Sequence, residues 1–240
     1  MRVSTTLMTS CLLCTKHADR RLRVVRARDA LATACGNVPE DALSVQQAVR
    51  AVQMGQLVVV VDDTGREDEA DLIMAAQFAT ASDVAFFVKH TSGVLCCALP
   101  QERAQLLELP PMVRNNTDAH QTAFTVSVDA ASHIGTGISA TDRAHTLHLL
   151  AYTTHPNAFT RPGHVFPLVA HPMGLAKRRG HTEAAVELCL QAGVRPVAAL
   201  SELVSPCGVA MASRAEAQDF ATEHGLPYVT VDALARARAS

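Results

Sequence analysis

Residues 57–76 constrain this chain more than any other stretch. The apolar run LVVVV is followed by DDTGREDEAD and then at once by a second apolar run, LIMAA. Six carboxylates and one arginine fall within residues 62–71. The first run reads as a buried strand, and the apolar flanks fix both ends of the acidic segment in the core. If residues 66–71 run extended, Glu67, Glu69 and Asp71 share one face, because side chains alternate along a strand. Three carboxylates on one face repel unless a cation or a basic side chain sits among them, or one takes up a proton. A solvated turn is the plain reading. The chemical reading is a cation site at the rim of a sheet, and hard oxygen ligands suit Mg2+.

A chain of 240 residues, 48% hydrophobic with a net charge of −2, is long enough for one domain with a large core. Near-neutral charge gives no case for a nucleic-acid or membrane surface, and no apolar run approaches the roughly 20 residues that cross a bilayer. Seven cysteines at irregular spacing, with a lone CLLC at 11–14, suggest reduced thiols in a cytoplasmic protein rather than zinc or disulfides. Residues 1–40 differ from the rest. Their arginine-rich HADRRLRVVRARDA suggests a loosely ordered extension, with an organellar targeting segment as the alternative.

From about residue 41 to 236 the pattern predicts one domain. SVQQAVRAVQMG reads as a helix, with Ser44 and Gln47 in capping-box spacing and a stop at Gly55. SDVAFFVKH, QERAQLLEL, SATDRAHTLHLLA, HTEAAVELCLQAG and AEAQDFATEHG read as further helices, and a short one closes the chain. GVLCCAL, AFTVSVDA, HVFPLVA, PVAALSEL, GVAMA and PYVTV read as strands. Helices and strands alternate without a strict βαβ rhythm, so the expected fold is α+β, a mixed sheet with packed helices.

Three other segments carry chemistry-bearing residues. Arg178, Arg179, Gly180, His181 and Thr182 stand at the mouth of a predicted helix, where free amides and a guanidinium could hold an anion. Solvated arginines beside a capped helix start are the alternative. Arg161 and His164 flank a Pro-Gly turn leading into a strand, so His164 could project into a cleft and transfer protons, or be a structural turn histidine. Glu202 follows the apolar run PVAAL, where burial would raise its carboxyl toward acid–base range. Cys96 reads as a core thiol.

Together these segments carry a resemblance. VVDDTGREDEADLIM, LPPMVRNNTDAHQTAFTVSVDA, GTGISATDRAHT, RPGHVFPL, RRGHTEAAVELCLQAG and EHGLPYVTV, in this order, resemble the 3,4-dihydroxy-2-butanone 4-phosphate synthase family. The resemblance implies an α+β fold and a homodimer with its active sites at the subunit interface. It also implies Mg2+ or Mn2+ dependence, and conversion of D-ribulose 5-phosphate to L-3,4-dihydroxy-2-butanone 4-phosphate and formate. By the same resemblance Glu67 and His181 would hold the metal, Arg66 and Asp71 would contact the sugar, and Arg178 to Thr182 would bind its phosphate. His164 and Glu202 would transfer protons, and Glu69 and Cys96 would line the site.

Several positions depart from the family pattern. Ser205-Pro206-Cys207 stands where Asn-Asp-Asp is usual, Ser201 where Cys is common, and Ala70, Thr91, Gln121 and Arg179 where glycines are expected. Two further readings therefore stay open: a diverged enzyme for another phosphorylated ketose, and a catalytically silent sugar-phosphate-binding dimer.

Overall fold

The computed structural model describes residues 40–238, so the expectations for residues 1–39, including CLLC, lie outside the described residues. Seven strands form one mixed sheet: β1 (Val58–Val61), β2 (Ala70–Ala75), β3 (Cys96–Leu99), β4 (Val128–Ala130), β5 (Phe159–Val169), β6 (Ala198–Glu202) and β7 (Tyr228–Thr230), in the order β4-β5-β3-β6-β2-β1-β7. β2 lies antiparallel between β1 and β6, while β1 pairs with β7 and β3 with β5 in parallel.

Alternation along the central strands splits the core into two layers. Val59, Val61, Leu72, Met74, Cys97 and Ala199 face one side, packed by α2 (Ala81–His90), α4 (Ala140–Tyr152) and α6 (Arg214–His224), with α3 (Gln101–Leu106) beside them. Val58, Val60, Ile73, Cys96, Ala198 and Leu200 face the other, packed by α1 (Glu40–Gln53), α5 (His181–Gln191) and α7 (Val231–Arg238). With both faces covered, the central strands read as continuous apolar runs rather than alternating ones.

Local chemistry moved several predicted boundaries. α1 begins four residues before Ser44, whose hydroxyl donates to the Asp41 carbonyl at 2.8 Å inside the helix instead of capping it. Gly55 does end that turn, at φ +70°, where a Cβ would meet Phe78 at 2.9 Å. The AFTVSVDA segment is strand only over Val128–Ala130, because the pairing with β5 shifts register between Val128 and Asp129. GVAMA is no strand; it reduces to a single bridge between Val204 and Met211, since Pro206 lacks an amide and Gly208 turns the chain at φ +71°. α6 has a complete capping box, Ser213 with Glu216, and ends at left-handed Gly225. Cys96, Cys97 and Cys189 are buried free thiols. No helix among the described residues is long and apolar enough to cross a membrane.

Candidate active site

The acidic segment is a tight loop, not an extended run. Residues 64–67 turn, Asp68 takes φ +54°, and strand geometry begins only at Ala70. The expected common face of Glu67, Glu69 and Asp71 is therefore replaced by a loop folded around Asp62. This buried carboxylate accepts from the Glu69 amide at 3.0 Å and the Glu67 amide at 3.3 Å, and from Arg66 Nη1 at 2.7 Å. The Arg66 guanidinium also pairs with Glu67. A basic side chain thus does sit among the acids, and it is the one the sequence supplies within the run. Arg214, at the start of α6, fastens the loop from outside through the Asp62 carbonyl at 2.5 Å.

Beyond the loop, strand pairing assembles the remaining acids. Asp71 on β2 pairs with Glu202 on β6, and Cys96 on β3 pairs with Leu200 two residues away. By alternation all three belong to the layer covered by α5, whose first residue is His181. That placement brings the buried His181 ring Nδ1 to 3.6 Å from Asp71 and 3.8 Å from Glu67. Ligating atoms of Asp62, Glu67 and His181 lie within 4.8 Å of one another.

The electrostatics follow from crowding and burial. Asp71 is driven well above the usual carboxyl range, first by desolvation and then by Glu202, Glu67, Glu69 and Asp62. Glu69 is raised by desolvation, then by Glu67 and Glu202. Burial presses the His181 ring down to about 4, with Asp62 and the Glu69 carbonyl pulling the other way, so the imidazole is neutral near pH 7. Burial also raises the Cys96 thiol well above its ordinary value, with Glu202 and Asp71 adding to the rise, so it stays protonated. Glu202 itself is half-buried rather than buried, with its Oε2 accepting from Ser92 Oγ at 2.7 Å. Its strand partner Asp71 is the fully buried member of the pair.

Among the described residues, Asp71 Oδ1 and His181 Nε2 are buried atoms with no hydrogen-bond partner. Such atoms are costly unless something else meets them, and a neutral imidazole beside carboxylates fits a divalent cation. Both Asp62 oxygens are already occupied by the loop's own donors. Asp62 therefore builds the turn, while Glu67 and His181 keep ligand capacity.

At the start of α5 the five residues separate. Gly180 caps the helix without a side-chain bond, leaving first-turn amides for an anion. Arg178 is folded inward, donating to Glu183 at 2.6 Å and to Thr122 at 3.2 Å, with the His120 carbonyl nearby. Thr182 is buried beside it. Arg179 instead points to α7 and pairs with Asp232 at 2.6 Å. A cavity of about 790 Å3 lies beyond Thr122, between α3 and residues 108–125. It is neighbour to the acidic cluster, not the cluster itself.

His164 is not at a strand's start, since β5 begins at Phe159 and absorbs the Pro-Gly turn. Its ring Nδ1 lies 2.6 Å from the carboxylate of Asp129, which also accepts from the His164 amide at 2.8 Å. Two strand spacings separate His164 from Glu202 across β3, about 10 Å, and three separate it from Asp71, about 14 Å. Arg161, its predicted companion, turns away to carbonyls of Leu107 and Phe159.

The geometry thus gathers Asp62, Arg66, Glu67, Glu69, Asp71, Cys96, His181 and Glu202, with Arg178 and Thr182 alongside; Arg179 turns to α7, and His164 lies two strands from Glu202 in the same sheet. The sequence profile of 3,4-dihydroxy-2-butanone 4-phosphate synthase matches residues 46–237. The chain belongs to this family. A 3,4-dihydroxy-2-butanone 4-phosphate synthase of Yersinia enterocolitica is 44% identical over 197 residues, covering 82% of this chain and 90% of that protein. Riboflavin biosynthesis protein RibBA of Chlamydia muridarum is 46% identical over 80% of this chain, which spans 45% of that relative's length. Among solved structures, a 3,4-dihydroxy-2-butanone 4-phosphate synthase in complex with two magnesium ions has a TM-score of 0.76 at 45% identity, over 79% of this chain and 94% of that one. The Candida albicans synthase has a TM-score of 0.75 at 41% identity, over 82% and 97%.

Against that family, three of the departures are placed by local contacts. Gln121 keeps the left-handed backbone, φ +55°, that a glycine there would favour, and its amide nitrogen donates to the Asp118 carbonyl at 2.6 Å. Thr91 turns its hydroxyl onto the Phe87 carbonyl at 2.7 Å, closing α2. Cys207 is exposed, its thiol lowered first by a hydrogen bond to Ser205. Asp62, Asp129, Glu183, Ser92 and Thr122 escaped the reading of the residues. Asp129 lies within the short bulged strand β4 and the others at a strand end, a loop or a helix start, where sequence shows a carboxylate or hydroxyl but not its partner.

Proposed function

We propose that this chain converts D-ribulose 5-phosphate into L-3,4-dihydroxy-2-butanone 4-phosphate and formate, with Mg2+ or Mn2+ held by Glu67 and His181. The observation that carries the reading is the neutral, buried His181 ring placed against Glu67 and Asp71, with its Nε2 unpartnered. A divalent ion there supplies charge stabilisation for an enediolate. The chain's own groups do the rest. The α5 amides, Arg178 and Thr182 anchor the phosphate remote from the reacting carbons and so position the sugar. Arg66 and Asp71 contact the sugar hydroxyls. Asp71, whose carboxyl holds a proton well above the usual range, can donate at a carbon where Glu202 or Glu69 withdraws one. The protonated Cys96 lines the site.

His164 completes this site from the partner subunit of a homodimer. Supporting that arrangement, Val94, Ile138, Val209 and Met211 are exposed apolar side chains in loops at the same end of the sheet as His164 and Glu202. Arg179, tied to Asp232, is the least favoured member of the phosphate set. The buried thiols are unbridged, as suits the cytoplasm.

The test is purified protein with Mg2+ and ribulose 5-phosphate, reading formate with EDTA as control. Formate release that the chelator abolishes supports the synthase. Turnover only of another phosphorylated ketose would instead assign a diverged enzyme, and binding without turnover a silent paralog.

A further inference from the structure

Where α4 packs on β4 lies a guanidinium that the chemistry above does not use. Arg143 is 6% exposed, and its Nε has no hydrogen-bond partner among the described residues. Burial works against its charge, and Asp129 is the group that favours it. Asp129 is 5% exposed and is the same carboxylate that holds the His164 ring and amide.

The surroundings fix this placement. Ser139 caps α4 by accepting from the Asp142 amide at 3.0 Å. One turn on, the Thr146 hydroxyl accepts from the Ala130 amide at 3.0 Å and donates to the Asp142 carbonyl at 3.0 Å. The first turn of α4, with Arg143 in it, is thereby bolted to the strand residue next to Asp129. The Asp142 carboxylate accepts from the Gly135 and Gly137 amides, drawing their loop over the pair. A Cβ on Gly137 would overlap the Asp129 carboxylate and come within 3.0 Å of His164 Nδ1. Asp129 is therefore enclosed by an imidazole, a glycine roof and the neighbourhood of one buried positive charge.

We propose that Arg143 is a positioning residue for His164: its charge keeps Asp129 a carboxylate acceptor, so the proton stays on His164 Nδ1 and Nε2 faces out as a free base. This rests on the reading above that His164 transfers protons. A carboxylate that orients an imidazole fixes its tautomer. Without the guanidinium, Asp129 binds a proton more strongly. The pair then takes up a second proton from solvent more readily: either the Nδ1 proton passes to the carboxylate while the new one sits on Nε2, or the ring holds both. Either change removes the base. Other charged groups facing the pair are committed elsewhere: Asp142 to the two glycine amides, His133 and His145 to a ring contact at 6.4 Å between centroids, and Arg161 to backbone carbonyls.

The test is nitrogen NMR of histidine-labelled, metal-free protein, with His164→Gln giving the assignment. In Arg143→Met the His164 ring signals should leave the wild-type tautomer pattern and titrate at higher pH. The acid limb of the kcat profile should move the same way, so that kcat falls several-fold more at pH 6.5 than at pH 8.5 while KM changes little. Arg143→Lys, which keeps the charge, should restore most of both. A wild-type ring spectrum in folded Arg143→Met overturns the proposal. Should that variant not fold, a His164 spectrum in folded Arg143→Lys displaced from the wild-type tautomer pattern overturns it. Because the spectrum is read without turnover, failure of synthase activity in the wild type would leave this result separately decided.

Discussion

Asp71 shows most plainly how one side chain can serve function against stability. It is buried among Glu202, Glu67, Glu69 and Asp62, and its carboxyl is raised because ionisation there meets both desolvation and repulsion. For a carboxyl raised on folding, the penalty appears as pH climbs past the ordinary value of 3.8, where the unfolded chain has already released its proton. Asp71→Asn removes that penalty. In EDTA at pH 7 the variant should be more stable than wild type by about 1 kcal/mol, seen as roughly 2–4 °C in Tm for a domain of this size. Formate release should fall at least about a hundredfold. A lower Tm would mean that Asp71 is held by an interaction rather than strained. At this scale the sequence was informative about which residues matter, since one run held Arg66, Glu67, Glu69 and Asp71. It was silent about Asp62 as the loop's organiser and Asp129 as the partner of His164, because a carboxylate's donors come from segments that only folding brings near.

Elements were legible where a period or a cap was local, as with β1, α5 and α6, and missed where tertiary pairing decided. β5 runs through a Pro-Gly pair because β3 and β4 flank it, and a Cβ on Gly163 would overlap the Val128 backbone. α2 and α6 meet through Phe86, His90, Phe220 and His224, with ring centroids 4.3–6.0 Å apart. Burial lowers the His90 ring, with His224 and Lys89 adding to the effect. For a histidine lowered on folding, stability is intact above the ordinary value of 6.5 and is lost as pH falls below it, because the unfolded chain takes the proton first. His181, lowered to about 4, adds to the same slope. The urea midpoint should therefore drop between pH 7.5 and pH 5.5, and His90→Gln should flatten that drop. An equal drop in the variant would remove the ring cluster from the explanation.

For the whole molecule, the distance between His164 and the acidic cluster matters most. Sequence order could name both but not say that three strand spacings lie between His164 and Asp71. If the partner subunit supplies His164, a His164→Ala chain and a Glu67→Gln chain, each inactive, complement one another. Random re-association makes half the dimers mixed, each with one intact site of two, so roughly a quarter of wild-type activity should return. No recovery, with mixed dimers demonstrated, would place the complete site within one chain.

The central claim is that Glu67 and His181, from a loop and a helix start more than a hundred residues apart in sequence, share one divalent ion. Anomalous diffraction from crystals soaked in Mn2+ tests it directly. The expected result is a peak bonded to the Glu67 carboxylate and the His181 ring, absent from His181→Ala crystals. A peak elsewhere, or one undiminished in that variant, would contradict the account.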